Sequence, residues 1–191
     1  FIKNKCVDWP TAIPSAALAV LGSIAGANLV LGISDNAIRY VMLVLIPVLA
    51  FVVLKKRDLS GAELAPVSRR RQFVVILTAA LIVGMYDGFY GPGTGTFLLL
   101  AYTQLARLPL NLAAGNVKIA NLSSNVGSLI VFLINGQTIL PLGLIAAVFS
   151  IAGHFLGAGL LLKNGSKIVK PFILVVLGLL FVRLIYDLFL V

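Results

Sequence analysis

Long apolar runs separated by short polar gaps dominate the chain. Runs at 10–32, 37–54, 111–134, 139–162 and 169–189 each approach or exceed the roughly 20 residues that a helix needs to cross a bilayer. Each therefore predicts a transmembrane helix. The gaps are ISDNAIR, the basic loop KKRDLSGAELAPVSRRR at 55–71, NGQT at 135–138 and KNGSKIVK at 163–170. The stretch 73–106 departs from this pattern. As one helix it would reach about 50 Å at 1.5 Å per residue, well beyond a hydrocarbon core of about 30 Å. It is also interrupted by GFYGPGTGT, Gly88 to Thr96, which holds a proline and four glycines in nine residues and cannot sustain a helix. Two arrangements fit: a kinked crossing, or a re-entrant hairpin of two half-helices.

Composition makes lipid the solvent for most of these side chains. Of 191 residues, 60% are hydrophobic and 11% charged, with a mean hydropathy of +1.09, far too little polar surface for a soluble domain. The net charge of +9 does not point to nucleic acid, because the basic residues cluster in the gaps, as the positive-inside rule requires. A single cysteine, Cys6, excludes an internal disulfide framework and a cysteine metal cluster; it reads as an inert thiol, with palmitoylation the alternative. The chain opens on Phe1 and a polar stretch, without a signal peptide, and reads as beginning within a longer protein.

Charge placement favours the re-entrant arrangement. With loop 55–71 and its six Lys/Arg in the cytoplasm, Lys3 and Lys5 fall on the same side. A re-entrant 73–106 then keeps Arg107 inside, sends the uncharged NGQT turn outside and returns Lys163, Lys167 and Lys170 inside; only Arg39 and Arg183 break the rule. An internal repeat agrees. A shift of 131 residues lays Phe1 on Phe132, Asn4 on Asn135, Pro10 on Pro141, Ala16 on Ala147, Gly22 on Gly153, Gly26 on Gly157, Ala27 on Ala158, Leu29 on Leu160 and Leu31 on Leu162. The two copies start on opposite sides, so the expected fold is an all-α polytopic membrane protein with inverted repeats. Residues 1–72 form the C-terminal part of a first repeat and 73–191 a second one. The counterpart of 73–131 is expected before Phe1.

Candidate chemistry concentrates in two segments. In GMYDGFYGPGTGTF (84–97), a half-helix starting near Thr94 would aim free N–H groups and the positive end of its dipole at the membrane midplane. Gly91, Gly93 and Gly95 allow close backbone approach, and Thr94 and Thr96 add hydroxyls. The alternative is a break that merely packs helices. Asp87, flanked by Tyr86 and Tyr90, is an intramembrane carboxylate and so a functional candidate: it could relay a coupling proton, pair with a lysine or cap the broken helix. The second segment, NVKIANLSSN (116–125), puts Lys118, Asn121 and Asn125 on one helix face with Ser124 beside it. These residues suit an anion path. Snorkelling of Lys118 and polar contacts between helices are the competing readings. His154 reads as a helix-contact donor, Gly22/Gly26 and Gly153/Gly157 as close packing faces, and Trp9 as an interfacial anchor. No nucleophile–base pair, nucleotide loop or metal spacing appears, so neither enzyme activity nor a cofactor is expected.

GFYGPGTGTF, followed by the spacing of Lys118, Asn121, Ser124 and Asn125, resembles the sulfite exporter TauE/SafE family, and FIKNKCVDWPTAIP is similar to the link after that family's first repeat. The resemblance implies a multi-pass permease of the bacterial inner membrane that handles sulfite, organosulfonates or related anions. The resulting expectation is a secondary transporter of small anions working by alternating access, with a midplane site at Gly91–Thr96 and the Lys118 face. A proton is a candidate coupling ion, and a homo-oligomer is compatible. The competing readings are a non-transporting scaffold or sensor subunit and a passive anion channel.

Overall fold

The computed structural model describes residues 7–54 and 67–164 together with a few positions between 175 and 186; the side chains at 35, 49–54, 154–155 and 157–164 are outside that description. Every regular element described is helical: α1 Trp9–Leu31, α2 Asp35–Leu54, α3 Arg69–Phe89, α4 Thr94–Leu100, a π-helical turn Ala101–Leu105, α5 Leu110–Ile134 and α6 Leu140–Asn164. The apolar runs at 10–32, 37–54, 111–134 and 139–162 match α1, α2, α5 and α6 closely. Cys6, most of loop 55–71, the side chain of His154, the packing at Gly157 and most of 169–189 lie outside what is described. Among the described residues α1, α3 and α5 are long and apolar enough to cross a membrane.

The helices group into two compact units, one of residues 7–32 and 67–135, the other of 33–54 and the described residues from 136 onward. In the first unit α1 packs along α3 and α5. Its inner face is made of small residues at helical spacing: Thr11, Ala12, Ser15, Ala19, Gly22, Ser23, Gly26 and Ala27 are all buried. Ile13, Leu21 and Leu29 on the outer side are exposed, as suits a helix bathed in lipid. Gly22 and Gly26 lie against the α3 backbone at Leu81, Met85 and Phe89, while Gly84 and Gly88 of α3 lie against the α1 backbone at Ala19 and Ser23. A Cβ on Gly84 would come within 2.7 Å of the Ala19 carbonyl oxygen, and one on Gly26 or Gly88 would overlap backbone atoms outright. In lipid, helices associate through this kind of close packing and through polar contacts, because burial from water contributes little.

α3 begins at Ser68, whose hydroxyl accepts from the Arg71 N–H as an N-cap. It runs through Gly84 and Gly88 without interruption and ends at Phe89. Gly88 was expected in the break; the structure keeps it helical, because its missing side chain makes room for Ser23 of α1. The break is confined to Tyr90–Gly93, and α4 starts at Thr94, as the sequence predicts. α4 and the π turn then pack back along α3. The amide Nε2 of Gln72, in the first turn of α3, donates to the Ala106 carbonyl just past the π turn (3.0 Å). The segment is thus a helical hairpin whose two ends are tied together.

In the second unit, α6 is apolar and exposed on every side over residues 140–151. Among the described residues a Cβ on Gly153 would meet nothing within 4 Å. Gly22/Gly26, by contrast, is a close packing face.

Replacing Gly88 by Val should push α1 from α3 and cost about 3 kcal/mol, the upper end for overpacking. Thermal unfolding in detergent should show a large drop in midpoint. Gly143→Ala, at a position where a Cβ meets nothing within 4 Å, should leave the midpoint within a degree or two, as surface changes usually do.

Candidate functional site

The four residues of the break are shaped by two left-handed glycines, Gly91 (φ +89°) and Gly93 (φ +87°). Such angles disfavour any residue with a Cβ. Gly93 is the N-cap of α4 and, lacking a side chain, leaves the first turn without a side-chain cap. Tyr86 pins the turn from one helical step above. Its hydroxyl donates to the Pro92 carbonyl (2.6 Å), and its ring stands edge-on to Tyr90 and to Phe97.

Asp87 is half-buried at the end of α3. Its Oδ1 accepts from the Thr94 hydroxyl (2.6 Å) and its Oδ2 from the Ser124 hydroxyl of α5 (2.5 Å). The Thr94 hydroxyl also lies 2.5 Å from the Gly91 carbonyl, and the Ser124 hydroxyl 3.0 Å from the Asn121 carbonyl. The carboxylate therefore joins the two halves of the broken helix to α5. Of the three roles open to Asp87, capping comes nearest to this arrangement, although the cap is made through the Thr94 hydroxyl rather than through backbone N–H groups.

Two cavities flank the break. One, of about 370 Å³, is lined by Asp87, Tyr90, Gly91, Gly93, Thr94, Gly95, Asn121 and Asn125. The other, of about 320 Å³, has Gly93, Gly95, Thr96, Lys118 and Asn121 on its wall, together with Leu99, Ala114 and Val117. The residues singled out in the two sequence segments are thus gathered at one place: Gly91 to Thr96 and Asp87 from the hairpin, Lys118, Asn121, Ser124 and Asn125 from α5. Their exposure differs, however. Ser124 is buried, Asn121 partly so, and Lys118 and Asn125 are exposed rather than part of a buried stripe. Asn125 spends its amide on the Asn121 carbonyl of its own helix (2.7 Å).

A second polar cluster sits at the foot of α1 and escaped the sequence reading. Asn116, fully buried, accepts from the Asp8 N–H (3.0 Å) and donates to the Thr11 hydroxyl (2.9 Å). The Thr11 hydroxyl reaches the Asp8 carboxylate (2.7 Å), which also pairs with Arg69 of α3 (2.8 Å). The available signal was Asp8, an N-cap type three residues before Thr11, but nothing local announces that Asn116 completes the cluster from a distance of over a hundred residues.

Residues 1–184 match the family model described as Sulfite exporter TauE/SafE. The chain belongs to this family. Among curated relatives, "Probable membrane transporter protein YfcA" of Escherichia coli is 30% identical over 189 residues, covering 98% of this chain and 69% of the relative. "Probable membrane transporter protein ORF9" of a Sinorhizobium species is 30% identical over 187 residues, covering 98% and 71%. A "Probable membrane transporter protein" of Haemophilus influenzae is 31% identical over 128 residues, covering 65% and 50%. No solved structure matches. This TauE/SafE member is therefore an integral membrane protein of a transporter family.

Asn116→Leu keeps the volume but leaves the Asp8 N–H without its acceptor and Thr11 without its donor. The expected cost is about 1–3 kcal/mol for polar groups left unsatisfied, read as a lowered unfolding midpoint in detergent.

Proposed function

We propose that this chain is a secondary transporter of small oxyanions, of which sulfite and organosulfonates are the first to test. The observation that carries the reading is the 320 Å³ cavity in which Lys118 and Asn121 share a wall with the first residues of α4. Lys118 supplies the one cationic side chain of that lining. Gly93 leaves α4 without a side-chain cap; the Thr94 and Thr96 N–H groups donate to the Gly91 and Gly93 carbonyls, so the Gly95 N–H and the positive end of the helical limb are what α4 offers a negative ligand. Thr96 adds a hydroxyl. The sulfite named in the family description has the size and charge for such a lining.

The transport cycle is read as alternating access between inverted repeats. Two features support it. The Gln72–Ala106 hydrogen bond holds the ends of the broken hairpin together, as a re-entrant segment that enters and leaves on one face requires. In addition, α1 starts at Trp9 and α6 at Leu140, a separation of 140 − 9 = 131 residues, the same offset that aligns the repeat. Each has proline in second place, Pro10 and Pro141. With residues 1–72 belonging to the first repeat and 73–191 to the second, loop 55–71 faces the cytoplasm of a bacterial inner membrane. Asp87, with Tyr86 and Tyr90 around it, stands next to the anion cavity as the residue through which a coupling ion would act.

Topology is tested by single cysteines in a Cys6→Ser background. Ser68→Cys and Arg107→Cys should react with an impermeant thiol reagent from the same side of the membrane, and Gly136→Cys from the other. Labelling of Ser68 and Arg107 from opposite sides would make 73–106 a crossing.

Function is tested by flux of labelled sulfite and a small sulfonate panel into vesicles carrying the full-length protein. Flux should saturate, and Lys118→Ala should raise the half-saturating concentration by about tenfold or more, the loss expected for one charge-assisted contact. Non-saturating flux would mark a passive channel instead. Absence of flux across the panel, from folded protein, would favour a scaffold or sensor.

A further inference from the structure

The two cavities beside the break differ in the charge they can accept. The smaller one holds Lys118. The larger one has Asp87 and no cationic side chain in its lining, so the residues assigned together to an anion site divide into two halves. Asn121 and the glycines Gly93 and Gly95 border both. An ionised carboxylate beside an anion site would repel the ligand unless its own charge were matched.

Oxygen crowds around that carboxylate. Thr94 Oγ1 lies 2.6 Å from Asp87 Oδ1 and 2.5 Å from the Gly91 carbonyl; Ser124 Oγ lies 2.5 Å from Asp87 Oδ2 and 3.0 Å from the Asn121 carbonyl. The Gly91 carbonyl also accepts from the Thr94 N–H (3.2 Å) and the Asn121 carbonyl from the Asn125 amide (2.7 Å), so the single hydrogen of each hydroxyl is left for the carboxylate. Both donors are neutral, however: among the described residues no cationic side chain pairs with Asp87, and the adjoining cavity gives its charge room for a positive partner. Thr94 itself is 2% exposed and Ser124 fully buried, so the donors are held inside the protein rather than displayed on a surface.

We propose that Asp87, Thr94, Ser124 and the Gly91 carbonyl form a sodium site on the Asp87 side of Asn121. Donors that are all oxygen select a hard cation and exclude soft metals. One carboxylate balances one charge, which suits an alkali ion better than magnesium or calcium. Backbone carbonyls at a helix break are groups from which transporters build sodium sites, and Asp87 adds a carboxylate beside one. The ion, once bound, neutralises Asp87 and removes its repulsion toward an anion in the Lys118 cavity. The coupling role rests on the anion reading of that second cavity; the sodium site does not, and is tested without any anion substrate.

The experiment is thermal unfolding of the purified full-length protein in detergent, with choline chloride replaced stepwise by NaCl at fixed pH and ionic strength. Sodium should raise the midpoint saturably, and potassium far less. Ser124→Ala, which keeps the carboxylate, should raise the half-saturating sodium concentration by about tenfold, and Asp87→Asn should abolish the response. If Asp87→Asn does not fold, Ser124→Ala and Thr94→Val decide. No sodium response in the native protein, an unchanged response in the variants, or stabilisation that follows pH and not sodium would overturn the proposal, the last by assigning the site to a proton. Sodium stabilisation without sulfite flux would sink the anion reading and leave this site standing; sulfite flux without sodium stabilisation would do the reverse.

Discussion

Two helices that touch backbone to backbone set the geometry of the first unit. α1 and α3 approach through Gly22 and Gly26 on one side and Gly84 and Gly88 on the other, and nothing with a side chain fits between them. Ser23 of α1 is the centre of this contact. Gly88 of α3 meets its backbone, and Gly127 of α5 meets its side chain and the backbone of Val20. One small residue therefore spaces three helices. Asp87 directly precedes Gly88, and Ser124 lies one helical turn before Gly127. The hydrogen bond between them follows from the two glycines being seated on the same serine.

Placing a carboxylate and four residues of irregular backbone within membrane-spanning helices is costly, and the local chemistry offsets the cost in steps. Two hydroxyls satisfy the carboxylate. The Tyr86 hydroxyl satisfies the Pro92 carbonyl, and the Tyr90 and Gly91 N–H groups return to the Tyr86 carbonyl. The start of α4 has no side-chain cap at Gly93; its Thr94 and Thr96 N–H groups turn back to the Gly91 and Gly93 carbonyls, and it borders both cavities. At the other end of the bundle the Asp8–Thr11–Asn116–Arg69 cluster is closed on itself, a fastening of α1 to α3 and α5.

The sequence made the break and its neighbours legible because the signals there are local. Glycine and proline in GFYGPGTGT cannot continue a helix, and the resumption at Thr94 could be read from the spacing of the glycines. Lys118, Asn121 and Ser124 followed from helical periodicity. Gly88 was assigned to the break because glycine permits a turn and close packing equally well, and only the partner helix decides which. Gly22/Gly26 was recognised as a packing face, yet its partner was invisible, since GMYDG reads first as part of an irregular segment. The Asn116 cluster was missed for a plainer reason: its members are ordinary polar residues brought together by tertiary structure. Neither could periodicity announce the π turn at Ala101–Leu105, which alters the winding without altering the apolar character of the residues.

That turn has a consequence for how the hairpin tolerates change. A π turn holds one residue more than the α-helical turn it replaces. Here the surplus is taken up just before the chain leaves the hairpin, where Ala106 N–H reaches back to the Ala101 carbonyl and Leu108 N–H to that of Tyr102. The return limb is in effect an α-helix carrying a one-residue insertion in its last turn. Loss of a residue there would close the turn to ordinary α-helix and rotate the chain that leaves it. The start of α4, fixed from its other end by Gly93 and Thr94, would keep its place. Length variation in this limb is thereby steered to the foot of the hairpin and away from the cavities.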